Sequence, residues 1–442
     1  MQTTLTIAPP AKALLLFTLP LILSGLFQQL FNWVDAFIVG NVEGELALAG
    51  IGATTAIYNL FVTVITGFTA GLSVLAAQQY GMGERKSLTA LLSSYTVLLG
   101  AIFAAVSLAG ILFTDPILTF LDTPRAIFAS AESYLKILLI GIPFLAVYNT
   151  YSAILRGVGN SRAPLWAILI SSAVNVLLDL VFVAGLRYGA AGAAVATVLS
   201  QIAMTAYVVV YTVRKYPALR FSLSKNCLCA AALRQGAVFG LPGAIQSGAS
   251  SAGSVFLQQF MNGFGEQTVA AITTAYRVDT VIFLPIINFG SGIATIVAQN
   301  IGAGEEGRAK SVFKIGLLMM LAISFGLTLL VLLLGGHLIA LFGLTADTIA
   351  IGKAFFHAIA GFYFLYGLGM AIRGYLEGLG DMLFSGVAGI LSLVVRILCS
   401  YAFRPVFDNM VVAYAEAFSW IFLLIVLFLR CRQQMRRRSG SA

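Results

Sequence analysis

The sequence predicts an all-α polytopic membrane protein. It would have 12 transmembrane helices in two six-helix bundles related by pseudo-twofold symmetry along the membrane normal. Three observations carry this expectation. Of 442 residues, 60% are hydrophobic and only 10% charged, against roughly 25% charged in soluble domains. Apolar runs long enough to cross a bilayer, about 20 residues, recur twelve times. The second half of the chain also repeats the first.

The spans are read at 12–40, 46–79, 87–114, 128–156, 163–185, 189–214, 231–263, 267–301, 308–335, 349–377, 382–403 and 409–431. Short polar breaks such as GMGERK, RGVGNSRAP and GAGEEGR separate them. Several exceed the minimum length, so they tilt or project beyond the hydrocarbon. The N-terminus, MQTTLTIAPPAKALLL, lacks the cleavage site of a signal peptide.

Lysine and arginine orient the spans. One side collects Lys12, Arg85, Lys86, Arg156, Arg162, Arg214, Lys215, Arg220, Lys225, Arg234, Arg308, Lys310, Lys314 and the tail arginines 430, 432, 436, 437 and 438, 18 in all. The other side has Arg125, Arg187 and Arg404. Both termini are therefore expected in the cytoplasm, with the chain multi-pass in the inner membrane of a prokaryote. The +9 net charge reads as a cytoplasmic rim, and nucleic acid is not an expected partner.

The repeat runs at a shift of 221 residues. GLSVLAAQQYGMGE (Gly71–Glu84) meets GIATIVAQNIGAGE (Gly292–Glu305), and LRGVGN (Leu155–Asn160) meets LEGLGD (Leu376–Asp381). Gly44, Glu45 and Ile51 meet Gly265, Glu266 and Ile272, and Pro20 meets Pro242 at 222. Six spans per half preserve orientation, so the repeats are parallel. The expected domains are an N-terminal lobe 1–214, a cytoplasmic linker 215–230, and a C-terminal lobe 231–442 with its basic tail.

Four cysteines (227, 229, 399 and 431) read as free thiols, since a lone C-x-C with two distant histidines makes no metal site. HExxH, G-x-S-x-G and P-loop patterns are all absent, so no enzyme is expected, and transport would draw on an ion gradient.

Polar groups inside the membrane default to function. Asp35 sits in FNWVDAFIVG, and Asn175 and Asp179 share one face of span five. Thr197 follows in span six. At 1.5 Å per residue these lie about 7–15 Å below the outer end, in one layer. Two carboxylates with neutral oxygens suit Na⁺, or the pair shares a proton. Thr197 has the alternative of bonding back to its own helix. In the second half, Arg396 and Glu416 are expected to pair, with Asp279 as a second acid in reach. Pro20 interrupts span one as a hinge or a static kink. Lys136 follows Glu132 by four, a local ion pair.

Together, the twelve spans, Pro20 and Asp35 in span one, the AQQYGMGE/AQNIGAGE pair, RGVGNSRAP, and Asn175 with Asp179 resemble the multidrug and toxic compound extrusion (MATE) family across the whole chain. The arrangement is similar to its DinF-type branch. The resemblance implies a cation site at Asp35, Asn175, Asp179 and Thr197, with Tyr134 lining it and Pro20 bending. It implies export of organic, often cationic, amphiphiles in exchange for Na⁺ or H⁺, by a monomer in contact with membrane lipid and with no cofactor beyond that ion. NorM-type members place acids in the C-terminal lobe, where this chain carries Arg396. A rival on the same architecture is a flippase for a lipid-linked precursor. Its cavity would be more basic, and the embedded cations Arg277, Arg373 and Arg396 all fall in the second half. A receptor or scaffold has no need of a full-length repeat.

Overall fold

Glycines set where the helices stop. In the computed structural model, Gly83 and Gly304 take φ of 79° and 77°, and Gly159 and Gly380 take 90° and 95°. Each pair is one repeat apart, at helix ends where only glycine adopts this backbone without a steric penalty. After Gln79–Tyr80, the Glu84 N–H donates to the Gln79 carbonyl at 2.9 Å, and the Gly83 N–H to the Tyr80 carbonyl at 3.1 Å. Glu305 and Gly304 make the same two bonds to Asn300 and Ile301, at 2.8 and 3.1 Å. The duplicated AQ-x-x-G-x-G motif is thus a helix C-cap that satisfies the last carbonyls.

The structure describes residues 4–221 and 228–439. Cys227 and residues 222–226 of the expected linker lie outside these. Among the described residues there is no strand. The long helices are α1 Pro10–Glu43, α2 Glu45–Gly81, α3 Arg85–Leu112, α4 Arg125–Gly157, α5 Arg162–Asp179 and α6 Gly189–Lys215. They continue as α7 Ala230–Asn262, α8 Glu266–Gly302, α9 Glu306–Ala340, α10 Ala346–Gly378, α11 Met382–Ala402 and α12 Val411–Ser439. Eleven candidate spans are long and apolar enough to cross a membrane. The twelfth, α7, has the length at 33 residues, but Gly, Ser and Gln dilute its apolar run.

The helices pack into two compact units whose boundaries differ from the expected lobes. One unit joins the described residues up to Thr18 with Ile245 onward, and the other spans Leu19–Ala244. The start of α1 therefore packs with the second half, and the start of α7 with the first. Both changes of unit fall beside a proline, Pro20 and Pro242. The physical reason lies in two glycines. A Cβ on Gly71 would stand 2.0 Å from the Phe239 carbonyl oxygen, and a Cβ on Gly292 would stand 2.1 Å from the Thr18 methyl. Gly71 and Gly292 are one repeat apart, as are Thr18 and Phe239, so the same close crossing was built twice.

In the Leu19–Ala244 unit, α4 runs through the centre and is the most buried span. Its Leu135, Leu139 and Ile142 pack with Leu88, Leu91 and Leu92 of α3 and Leu72 of α2 in one apolar core. In the other unit, Phe355, Phe356 and Tyr363 of α10 pack against Ile272 and Val278 of α8 and Val411, Val412 and Trp420 of α12. Both ends of the described chain rest on the first turn of α9. The Arg308 guanidinium donates to the carbonyls of Leu5 (3.3 Å) and Ala8, and Arg438 pairs with Glu306 at 2.6 Å. Lys136 pairs with Glu132 and also reaches Asp115 at 3.3 Å.

Candidate functional site

The expected site residues of the first half converge in the Leu19–Ala244 unit. Asp35 comes from α1, half-buried, with Asn32 and Gln28 on the same face one and two turns earlier. Asn175 and Asp179 come from α5 and are 1% and 0% exposed. At Asp179 the α-helix gives way to a wider π-helical turn, Leu180–Gly185. Such turns are rare and concentrate at functional positions.

Asp35 and Asp179 stand carboxyl to carboxyl, within hydrogen-bonding reach. The Oδ1 atom of each is buried and has no hydrogen-bond partner among the described residues. The Asn175 carboxamide, oriented to satisfy both neighbours, donates to Asp179 Oδ2 at 3.1 Å and accepts from the Thr197 N–H at 3.1 Å. The Thr197 hydroxyl lies 3.4 Å from the same end of that amide. Tyr134 of α4 is buried within electrostatic reach of both carboxyls. Its neighbours Val39, Leu138 and Val183 form a small apolar cluster with it.

A cavity of about 310 Å³ opens beside these groups, with Asp35, Asn175, Thr197 and Tyr134 on its wall. Asp179 is not a lining residue and lies behind Asn175. The cavity extends the site beyond the residues singled out from sequence. Tyr58 and Asn59 of α2, Ser171 and Ser172 of α5, and Gln201 of α6 also line it. Gln201 donates to the Tyr58 hydroxyl at 2.6 Å, tying α6 to α2 one turn below Thr197. The signal was present in part: Gln28, Asn32 and Asp35 follow helical spacing, as do Ser171, Asn175 and Asp179. Tyr58 and Asn59 have only Thr55, one turn earlier, as a polar companion at helical spacing on the cavity wall.

The second-half cluster is arranged differently. Arg396 donates from Nη2 to Glu416 Oε2 at 2.8 Å and to the Tyr276 hydroxyl at 2.7 Å. Asp279 is held by a tyrosine instead of an arginine, with Tyr363 donating to its Oδ1 at 2.5 Å. Arg373 is likewise paired, with Glu377 at 2.6 Å and with the Gln246 carboxamide oxygen at 2.6 Å. Pro20 lies buried inside a continuous α1, and the Ser24 hydroxyl donates to its carbonyl at 2.7 Å.

A duplicated bundle of membrane-length helices, with buried carboxylates meeting at a polar cavity in one half, defines a membrane transporter and not an enzyme. The chain belongs to the MatE family, whose model matches residues 20–181 and again 242–402. It is 28% identical over 400 residues to the probable multidrug resistance protein YpnP of Bacillus subtilis, covering 90% of this chain and 88% of that one. It is 26% identical over 380 residues to the probable multidrug resistance protein NorM of Thermotoga maritima, covering 84% and 81%. Its fold matches a multidrug resistance MATE family transporter of the MOP superfamily, solved in an outward-facing conformation. The TM-score is 0.92 at 20% identity, over 99% of each chain.

Proposed function

We propose that this protein is a secondary antiporter that exports organic, often cationic, amphiphiles in exchange for H⁺ or Na⁺ by alternating access. It works as a monomer in the inner membrane of a prokaryote, with both termini in the cytoplasm. The observation that carries the reading is the contact between Asp35 and Asp179. Two carboxylates cannot stay together in a low-dielectric bundle unless a proton or a cation lies between them. Direct carboxyl contact suits a shared proton. Asn175 and Thr197 supply the neutral oxygens that would complete a Na⁺ shell.

Loading Asp35 and Asp179 draws α1 against α5, and unloading them leaves two charges in repulsion. An ion that binds one conformation better than the other biases the bundle by that difference. Relatives named as multidrug resistance proteins support the substrate class, and the 18-to-3 bias of basic residues supports the orientation.

The test uses the purified protein in liposomes with a fluorescent organic cation and, separately, a sodium gradient and a pH gradient. The reading expects one gradient to drive movement in the wild type and Asp35→Asn to stop it. If neither gradient moves a panel of organic cations, a lipid-linked precursor becomes the better substrate. Movement that survives Asp35→Asn would remove Asp35 from the coupling site.

A further inference from the structure

Three arginines are embedded in the second half, and they differ in one respect. Arg373 is neutralised by Glu377 and Arg396 by Glu416. Among the described residues Arg277 of α8 has no ion pair or hydrogen bond, and it is exposed at a cavity of about 620 Å³. No acid can fold back to it along its own helix, because positions 273, 274, 280 and 281 are Thr, Thr, Thr and Val. Asp279, two residues on, faces the bundle interior and is held by Tyr363. Glu266 lines the same cavity, but it lies about 16 Å away along the helix at 1.5 Å per residue. Across that distance, most of its attraction is screened in an aqueous cavity.

A cation without a counter-charge in a membrane-length helix is by default a candidate binding group. The walls around it are amphiphilic. Thr273, one turn before Arg277, has a buried hydroxyl oxygen with no partner. On the same helix, Thr280 and Thr295 instead bond back to carbonyls one turn earlier. Val269, Phe342 and Leu344 supply the apolar side.

We propose that Arg277 and Thr273 form a binding site for the carboxylate or phosphate group of an amphiphile, whose apolar body lies against Val269, Phe342 and Leu344. The guanidinium takes the anion through two parallel N–H donors, and the threonine hydroxyl adds a third. The site is separate from Asp35 and Asp179, which lie in the other compact unit. The protein would then accept compounds carrying an acidic group as well as purely cationic ones.

The probe is 1-pyrenebutyrate, with a pyrenebutyl trimethylammonium salt as the matched cation. Binding is read by fluorescence anisotropy on the full chain in phosphatidylcholine nanodiscs. Arg277→Gln is expected to weaken pyrenebutyrate binding about tenfold and leave the trimethylammonium probe unchanged. Arg277→Lys should retain part of the affinity, because a point charge replaces the fork. Repeating the titration with phosphatidylglycerol nanodiscs, and with free inorganic phosphate, separates a lipid headgroup from a soluble anion as the natural source. Competition by either identifies that source. Equal pyrenebutyrate binding in wild type and Arg277→Gln overturns the proposal. Asp35→Asn serves as the control: it should stop ion-driven transport and leave pyrenebutyrate binding intact, so failure of the coupling reading and failure of this one are told apart.

Discussion

Asp35 and Asp179 reach each other from α1 and α5 with Asn175 braced against Asp179, so the two acids meet as one unit, the ion site proposed above. A ligand that binds only the folded protein stabilises it by about 2.7 kcal/mol at a hundred times its Kd. Wild-type protein in detergent should therefore gain thermal stability when the coupling ion is raised. Asp179→Asn keeps the shape and removes one of two like charges, so it should fold normally and lose that gain. A Tm that still climbs with the ion in Asp179→Asn would show that the ion binds elsewhere.

The Arg396–Glu416 pair predicts an asymmetry between single and double substitution. Glu416→Gln or Arg396→Gln strands a buried charge and should cost about 3–5 kcal/mol. Arg396→Met combined with Glu416→Leu removes both charges and should be much closer to wild type. Denaturation of the three variants in one detergent decides it. Equal losses in the single and double variants would mean that packing, and not charge, dominates there.

The two glycine crossings predict different remedies for the same lesion. Gly292→Ala collides with a side-chain methyl, that of Thr18, so Thr18→Ala should restore most of the stability lost. Gly71→Ala collides with the Phe239 backbone, so no change at residue 239 should rescue it. Each single change is expected to cost about 1–3 kcal/mol as overpacking. Thermal unfolding of the single and paired variants checks this, and a rescue of Gly71→Ala from position 239 would contradict the geometry.

Pro20 denies a backbone donor to the Leu16 carbonyl inside α1. Pro20→Ala restores that bond and should stiffen the helix carrying Asp35. Transport in liposomes is expected to slow several-fold while Tm holds or rises. Unchanged transport would make Pro20 a static kink.

Much of the fold was legible because membrane physics writes it in composition. Uncharged runs gave the spans, basic loops suggested the orientation, and glycines one repeat apart marked the stops. The acids were legible for the same reason: in an apolar run, Asp35 and Asp179 cannot pass as filler. The exchange of helix starts between units was harder to see, because it depends on which backbones approach closely, and Gly71 and Gly292 look like any other small residues. The π-helical turn at Leu180–Gly185 has no signature in LVFVAG. Tyr58 and Gln201 meet only through tertiary packing, and neither is unusual in its own helix. Arg277 was visible as an embedded cation, but only the structure separates it from the two paired arginines.

Because Phe239 must reach Gly71 and Thr18 must reach Gly292, neither half of the chain is self-sufficient while it is being made. The groove at Gly71 waits for residues synthesised roughly ten to thirty seconds later at ordinary elongation rates. The start of α1 waits longer still for α8. Severed in the linker and produced as two polypeptides, each half would carry a strip of surface meant for the other, and activity would return only when the halves traded those segments.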